Sequence, residues 1–202
     1  LFARLVKRLS SRAAIEAVYY ERKLTEVEKI LKSPDRSPNF RGAREMGVSS
    51  NGGFGPLLEQ LAGGKFRGAY IVGEDLVSLV PDGEKIKNAL EKLSFLVVQD
   101  TRLTPTARLA HVVLPATNFA EKEGTYTNRK GRVQKLNAAL VPPAGALQDW
   151  EIFARLQSKA GEKIFFQSPA EIFQAIAREV VRYQGLSYAA IGDQGVQLSD
   201  ET

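Results

Sequence analysis

The stretch FLVVQDTRLTPTARLAHVVLP, residues 95–115, constrains the fold more than any other part of the chain. FLVVQD (95–100) and HVVLPA (111–116) are apolar runs without alternation. Both faces of each strand are then buried, as in a parallel sheet. Between them TPTARLA (104–110) reads as a short helix, with Thr104 as N-cap and Pro105 at its first position. Two parallel strands joined by a helix form a right-handed crossover. A further strand at 69–72 lies upstream, with a helix at 56–64 before it and one from Pro81 to Lys92 after it. The expected fold class is therefore α/β: a doubly wound, mostly parallel sheet with helices on both faces. Ligands of such sheets sit outside the carboxyl ends of the strands. Polar groups follow two of those ends here, Gly73-Glu74-Asp75 and Gln99-Asp100.

With 202 residues, the chain buries roughly 70% of the surface its unfolded form would expose, enough for a core without staples. Residues 1–184 are expected to form one α/β domain and 185–202 a polar tail or connection. The start, LFARLVKRLSS, has no Met and reads as the middle of a basic amphipathic helix, which predicts a piece of a longer chain. AIEAVYY (14–20) is β-prone and LTEVEKILKS (24–33) is helical. Residues 33–55, rich in Pro, Gly, Ser and Asn, read as a long loop with one helical turn at 41–46. Such loops tend to be functional or interfacial. Two helices close the pattern. One spans 149–161 with Asp149 as N-cap; the other spans 168–185 with Ser168 as N-cap, Pro169 at N1 and Glu171 completing a capping box.

Composition removes several chemistries. The chain has no cysteine. That excludes disulfides, cysteine-ligated clusters, thiolate zinc sites and cysteine nucleophiles within it. No apolar run reaches the ~18 residues of a membrane span. The net charge of +5 comes from scattered basic residues interleaved with acidic ones, so the expectation is a solvated surface or an acidic neighbour and no nucleic-acid partner.

Few residues mark a reaction. GGFG (52–55) and GKFRG (64–68) lack the spacing of a nucleotide-binding glycine loop. The one histidine, His111, has no partners for a triad or metal site and reads as structural. Glu74, Asp75 and Asp100 at the strand ends suit a guanine edge or a ribose hydroxyl as well as they suit helix capping. GTYTNRKGRVQ (124–134) has turn chemistry, and its hydroxyl, amide and guanidinium groups suit either a phosphate-bearing ligand or an internal contact.

In order along the chain, PNFRGAREMGV, YIVGED, FLVVQDTRLTPTARLAHVVLPATNFAEKEGTYTNRKGRVQ and DWEIFARLQSKAG resemble the molybdopterin oxidoreductase superfamily over residues 36 to 190. Within it, RGAREMGV and a GED without a following Pro are most similar to the large iron–sulfur subunit of respiratory NADH:quinone oxidoreductase (complex I). That resemblance implies a non-catalytic scaffold domain supporting electron transfer from NADH to quinone. Its partners would be the other subunits of the respiratory complex and the remaining domains of its own chain. Its place would be cytoplasmic, peripheral to the inner membrane. It implies no cofactor, catalytic residue or metal ligand in this chain, iron–sulfur clusters elsewhere in the parent, and no redox activity for this chain alone. The alternative is the bis-molybdopterin guanine dinucleotide-binding domain of a molybdenum oxidoreductase such as NAD-linked formate dehydrogenase. By motif position, the residues at the nucleotide, vestigial or used, are Gly73, Glu74, Asp75, Gln99, Asp100, Thr127, Asn128 and Arg132. Two departures favour the scaffold: His111 replaces the Asp of ADVVLP, and Leu76 replaces the Pro after the GE(N/D) turn.

Overall fold

A computed structural model describes residues 39–48, 54–161 and 166–198. Its first elements are α1 (Phe40–Glu45), α2 (Phe54–Ala62), β1 (Gly68–Val72), α3 (Leu76–Leu79), α4 (Gly83–Glu91) and β2 (Phe95–Asp100). Next come α5 (Pro105–Arg108), β3 (Val112–Pro115), a 3-10 turn at Phe119–Glu121, β4 (Gly124–Thr127) and β5 (Arg132–Leu136). The last are α6 (Asp149–Lys159), α7 (Pro169–Glu179), a 3-10 turn at Val181–Tyr183, α8 (Tyr188–Ile191) and β6 (Val196–Gln197). They divide into two compact units interleaved along the chain. One is built from residues 54–122 and 138–161, the other from 39–48, 123–137 and 166–198. The helices expected at 1–12 and 24–33 and the strand expected at 14–20 lie outside the described residues.

The first unit holds the parallel sheet, in the order β1-β2-β3. The absence of alternation in FLVVQD has the predicted consequence. Leu96 and Val98, both at 0% exposure, pack with Ile71, Leu61, Ile86, Leu90 and Ala107 on one face. The opposite face meets α6, with Phe153 6.4 Å from the Tyr70 ring and Gln99 bonded to Asp149. Both faces of β2 are thus covered by helices, whereas β3, which the sequence predicts to be buried on both faces, stands at the edge of the three-stranded sheet and leaves Val112 and Val113 exposed. Local chemistry closes the helix starts. Thr104 Oγ1 accepts from the Ala107 N–H at 3.2 Å, and Asp82 Oδ1 accepts from the Lys85 N–H at 3.3 Å. At α6 the expected cap is displaced by one residue: Asp149 is the first helical residue, and Glu151 Oε2 accepts from the Gln148 N–H at 2.9 Å.

Pro115 ends β3 at no cost to the ladder. The Ala116 N–H, not that of residue 115, meets the Asp100 carbonyl at 2.9 Å, so the proline nitrogen falls on the outer edge, where it withholds no ladder bond. Leu147 pairs with that outer edge, donating to the Pro115 carbonyl and accepting from the Thr117 N–H.

The second unit has an antiparallel sheet, β4-β5-β6, which the sequence pattern does not predict. GTYT and RVQKL are too short and too polar to announce themselves as strands. They form because Val133 (0% exposed) is buried beneath Phe173, Tyr183 and Ile191. Residues 188–198, expected in the polar tail, supply α8 and β6, and Leu198 reaches the same core. At α7 Ser168 Oγ accepts from the Glu171 N–H at 3.3 Å, as expected. Glu171 Oε2, however, takes the Gln167 N–H at 2.8 Å, so the reciprocal box falls one residue earlier than the sequence implied.

His111 lies just before β3, at the amino end of the strand, where its N–H donates to the Leu96 carbonyl at 2.9 Å. Its Nδ1 accepts from the Leu96 N–H at 3.0 Å. The imidazole is an acceptor here, the task a carboxylate would perform. The exchange of Asp for His at this position therefore belongs to the end of the sheet opposite the carboxyl edge. Leu76 is equally a packing residue, 7% exposed within the main core. His111 is remote from the carboxyl edge, and Leu76, although it follows Asp75 at that edge, puts its side chain into the core, so neither favours a scaffold over a ligand-holding sheet. The expected outcome is that His111→Asp keeps the stability of the chain while His111→Leu lowers it by about 1 kcal/mol. Urea denaturation checks this, and equal midpoints for the two variants would contradict it.

Candidate functional site

The carboxyl edge of the parallel sheet gathers five of the eight residues named from sequence: Gly73, Glu74, Asp75, Gln99 and Asp100. Thr127, Asn128 and Arg132 belong to the other unit.

Gly73 turns the chain out of β1. Its φ of 64° is left-handed, open to glycine without strain, and its N–H donates to the Gln99 carbonyl at 2.8 Å. Asp75 then docks on α5, where its Oδ1 accepts from the Thr106 N–H at 3.1 Å and from the Thr106 hydroxyl at 2.6 Å. The same hydroxyl accepts from the Val77 N–H at 3.0 Å. Burial pushes the Asp75 carboxyl up, but hydrogen bonding from Ser78 and Thr106 outweighs it and holds the group below its usual range. Asp75 is thereby a clasp between two loops.

Gln99 is fully buried. Its Oε1 accepts from the Tyr70 hydroxyl at 2.7 Å, and its Nε2 donates to Asp149 Oδ1 at 2.7 Å. Lys122 Nζ meets Asp149 Oδ2 at 2.5 Å. Burial, and next the Asp149 charge, push the Tyr70 phenol up to about 12. The Gln99 amide therefore ties β1 to α6, and its two ends are engaged within the fold.

Asp100 is placed differently. Its backbone carries the sheet bond to Ala116, while its carboxylate turns into the loop after β2. Oδ1 accepts from the Thr101 N–H at 2.6 Å and the Arg102 N–H at 3.4 Å, while Oδ2 takes no bond among the described residues. After β3, Thr117 is 1% exposed, and its hydroxyl has no hydrogen-bond partner among the described residues. Sequence reasoning missed Thr117, whose only signal was its place two residues past a strand end. It also missed Asp149 as an anchor, having read it as a cap.

In the second unit the TNRKGR motif builds a hairpin. Asn128 Oδ1 accepts from the Lys130 N–H at 2.9 Å and the Arg132 N–H at 3.0 Å. Arg132 Nη1 donates to the carbonyls of Gln194 and Gly195, at 2.9 and 3.3 Å. Thr127 shares a 2.6 Å hydroxyl contact with Tyr183, and its N–H donates to Asn39 Oδ1 at 2.8 Å. The spacing that suited a phosphate is explained locally by turn closure. Asn39, in the left-handed region at φ 61°, is a further residue the sequence did not single out by role. Among the described residues no group of three or more His, Asp or Glu is placed to hold a metal.

The sequence pattern of the molybdopterin oxidoreductase family matches residues 12–159. The chain belongs to the molybdopterin oxidoreductase family. Its relatives include an F420-dependent formate dehydrogenase 2 subunit alpha of Methanococcus maripaludis, 43% identical over 161 residues, covering 79% of this chain and 23% of that protein. A putative formate dehydrogenase of Staphylococcus haemolyticus is 39% identical over 132 residues, covering 65% of this chain and 13% of that protein. The acetylene hydratase of Pelobacter acetylenicus superimposes with a TM-score of 0.55 at 20% identity, over 71% of this chain and 20% of that one, and shows the fold. This chain thus spans less than a quarter of the relatives it matches. Formate dehydrogenase alpha subunits favour the cofactor-binding alternative over the NADH:quinone oxidoreductase reading of the sequence.

Because the Asp75 carboxyl is held below its ordinary value, its contribution to stability is complete above the unfolded value of about 3.9 and is lost as pH falls through the lower folded value. Asp75→Asn should lower stability at neutral pH and flatten the acid limb of a stability–pH curve measured by urea denaturation. An acid limb as steep in the variant as in the parent would contradict the clasp.

Proposed function

We propose that this chain is the nucleotide-holding α/β portion of the alpha subunit of a formate dehydrogenase-type molybdopterin oxidoreductase. The carboxyl edge of its parallel sheet takes the guanine nucleotide end of a molybdopterin guanine dinucleotide. The observation that carries this reading is the pair of polar groups at that edge: Asp100, the last residue of β2, with Oδ2 uncommitted among the described residues, and the buried, unpartnered hydroxyl of Thr117 just past β3.

These groups fit such a ligand. A carboxylate oxygen accepts from the N–H groups of a guanine edge or from ribose hydroxyls, and a threonine hydroxyl both donates and accepts. A buried hydroxyl left without a partner costs about 1–3 kcal/mol, a cost that a ligand atom would remove. Asp100 and Thr117, with Glu74 just past the end of the neighbouring strand β1, would hold the nucleotide. Gly73, Asp75 and Gln99 hold the loops that present those groups. When bound, the cofactor supplies the redox centre. This chain orients its nucleotide end and, through the Tyr70–Gln99–Asp149–Lys122 chain of bonds, keeps the sheet edge fixed against α6. With no cysteine in the chain, iron–sulfur clusters that pass electrons onward would be held elsewhere in the parent or its partner subunits. The formate dehydrogenase names of the relatives support formate as the substrate of the parent.

The test is formate-dependent reduction of an artificial dye by the full-length protein under anaerobic conditions, with its Asp100→Ala variant alongside. The expected result is reduction by the parent, with the variant about tenfold or more poorer in both activity and bound guanine nucleotide, the effect of losing hydrogen bonds to a charged acceptor. A molybdenum-loaded parent inert to formate would overturn the substrate. A variant with undiminished nucleotide content would overturn the edge assignment.

A further inference from the structure

Residues 137–145, Asn-Ala-Ala-Leu-Val-Pro-Pro-Ala-Gly, are exposed without interruption. From Leu136 to Gln148 there is no charged residue, in a chain where 25% of residues are charged. Leu140 is 59% exposed and Val141 is 91% exposed. The segment is nonetheless tied down. The N–H groups of Ala139 and Leu140 both donate to the Ala120 carbonyl, at 2.7 and 2.9 Å. That clasp sets them beside Phe119, itself 70% exposed. Three of the most exposed large apolar side chains among the described residues thus lie on the strap and on the turn to which it is tied. Further along, between β3, the strap and α6, lies an open apolar depression of about 150 Å³, lined by Leu114, Leu147, Ile152 and Leu156. Its rim carries Arg155, which makes no ion pair among the described residues.

Soluble surfaces rarely leave a contiguous apolar patch bare, and those that do mark an interface. The lack of charge indicates what kind. Interfaces that open and close remain about as polar as ordinary surface, whereas permanent ones resemble a core cut in half. We infer that the strap 138–148 and the adjoining depression are a permanent docking face, and that its occupant is another part of the same full-length polypeptide. The occupant would present an apolar side chain to the depression and an acidic residue to Arg155. The matched relatives argue for an occupant in cis. This chain covers 23% of the formate dehydrogenase alpha subunit from M. maripaludis, so the larger part of such a polypeptide lies outside it and must be seated on some face. This inference rests on reading the chain as part of a longer alpha subunit, and it makes no use of the cofactor.

Hydroxyl-radical footprinting of the native full-length alpha subunit, resolved at Phe119 and Leu140 and referred to the same peptides in urea, tests it without a substitution. The expected result is protection of about tenfold or more at both residues, the scale of stable structural closure, in the isolated alpha subunit and independent of protein concentration. Reactivity close to that in urea would overturn the inference. So would protection that appears only when a partner subunit is added, or only as concentration rises, since the occupant would then be a separate chain or a second copy. Molybdenum and formate activity are read separately, so a protein without cofactor can still show the protection, and a fully loaded one can still lack it.

Discussion

The amide of Gln99 sits fully buried in the central strand of a parallel sheet, where both of its ends must be satisfied. Its oxygen takes the Tyr70 hydroxyl and its nitrogen gives to Asp149 fifty residues later in the chain. This one side chain determines much else. It requires the first turn of α6 to lie against the sheet, which brings Ile152 and Phe153 to bury the second face. Asp149 is well suited to the end of a helix where the backbone N–H groups are unpaired, and Lys122 offsets its charge at the oxygen that Gln99 leaves free. Losing the amide would strand a phenol and a carboxylate oxygen in a half-buried site, at about 1–3 kcal/mol each. The carboxyl edge of the sheet is stiff because of this clamp, and a stiff edge is what a ligand-presenting loop needs beneath it.

The same reasoning separates the polar residues that are spent on structure from those that remain available. Asn128 and Arg132 form the spacing of a sequence motif, and hairpin closure and backbone clipping account for both. Asp75 is spent on Thr106. Asp100 and Thr117 are different because the fold leaves one carboxylate oxygen and one hydroxyl without a partner among the described residues. A polar residue near a strand end is therefore an ambiguous signal until its hydrogen bonds are counted.

The parallel sheet was legible because it depends on local properties: β2, buried on both faces, has no period, and Thr104-Pro105 marks a helix start whatever surrounds it. The same lack of period in HVVLP did not report burial, since β3 is an edge strand with Val112 and Val113 exposed. The antiparallel sheet was not legible, because β4, β5 and β6 are short and half polar, and their cohesion comes from Phe173, Tyr183 and Leu198, which are distant in sequence. His111 misled for a related reason. Its departure from the family pattern is visible in sequence, but that it lies at the amino end of β3, as an acceptor for the Leu96 N–H, is a property of the fold. Asn39 likewise acts on Thr127 across 88 positions, a separation no local pattern reports.

With His111 seen as a pairing residue and Leu76 as a packing residue, neither argues for a sheet that has lost its ligand, and membership of the molybdopterin oxidoreductase family names the chemical class of the ligand proposed for it. What decides the matter is whether the parent protein carries it. Metal and nucleotide analysis of the purified full-length protein answers this most directly. The expected result is stoichiometric molybdenum or tungsten, with guanine nucleotide released on denaturation. A correctly folded parent that holds neither metal nor guanine nucleotide would contradict it and restore the scaffold.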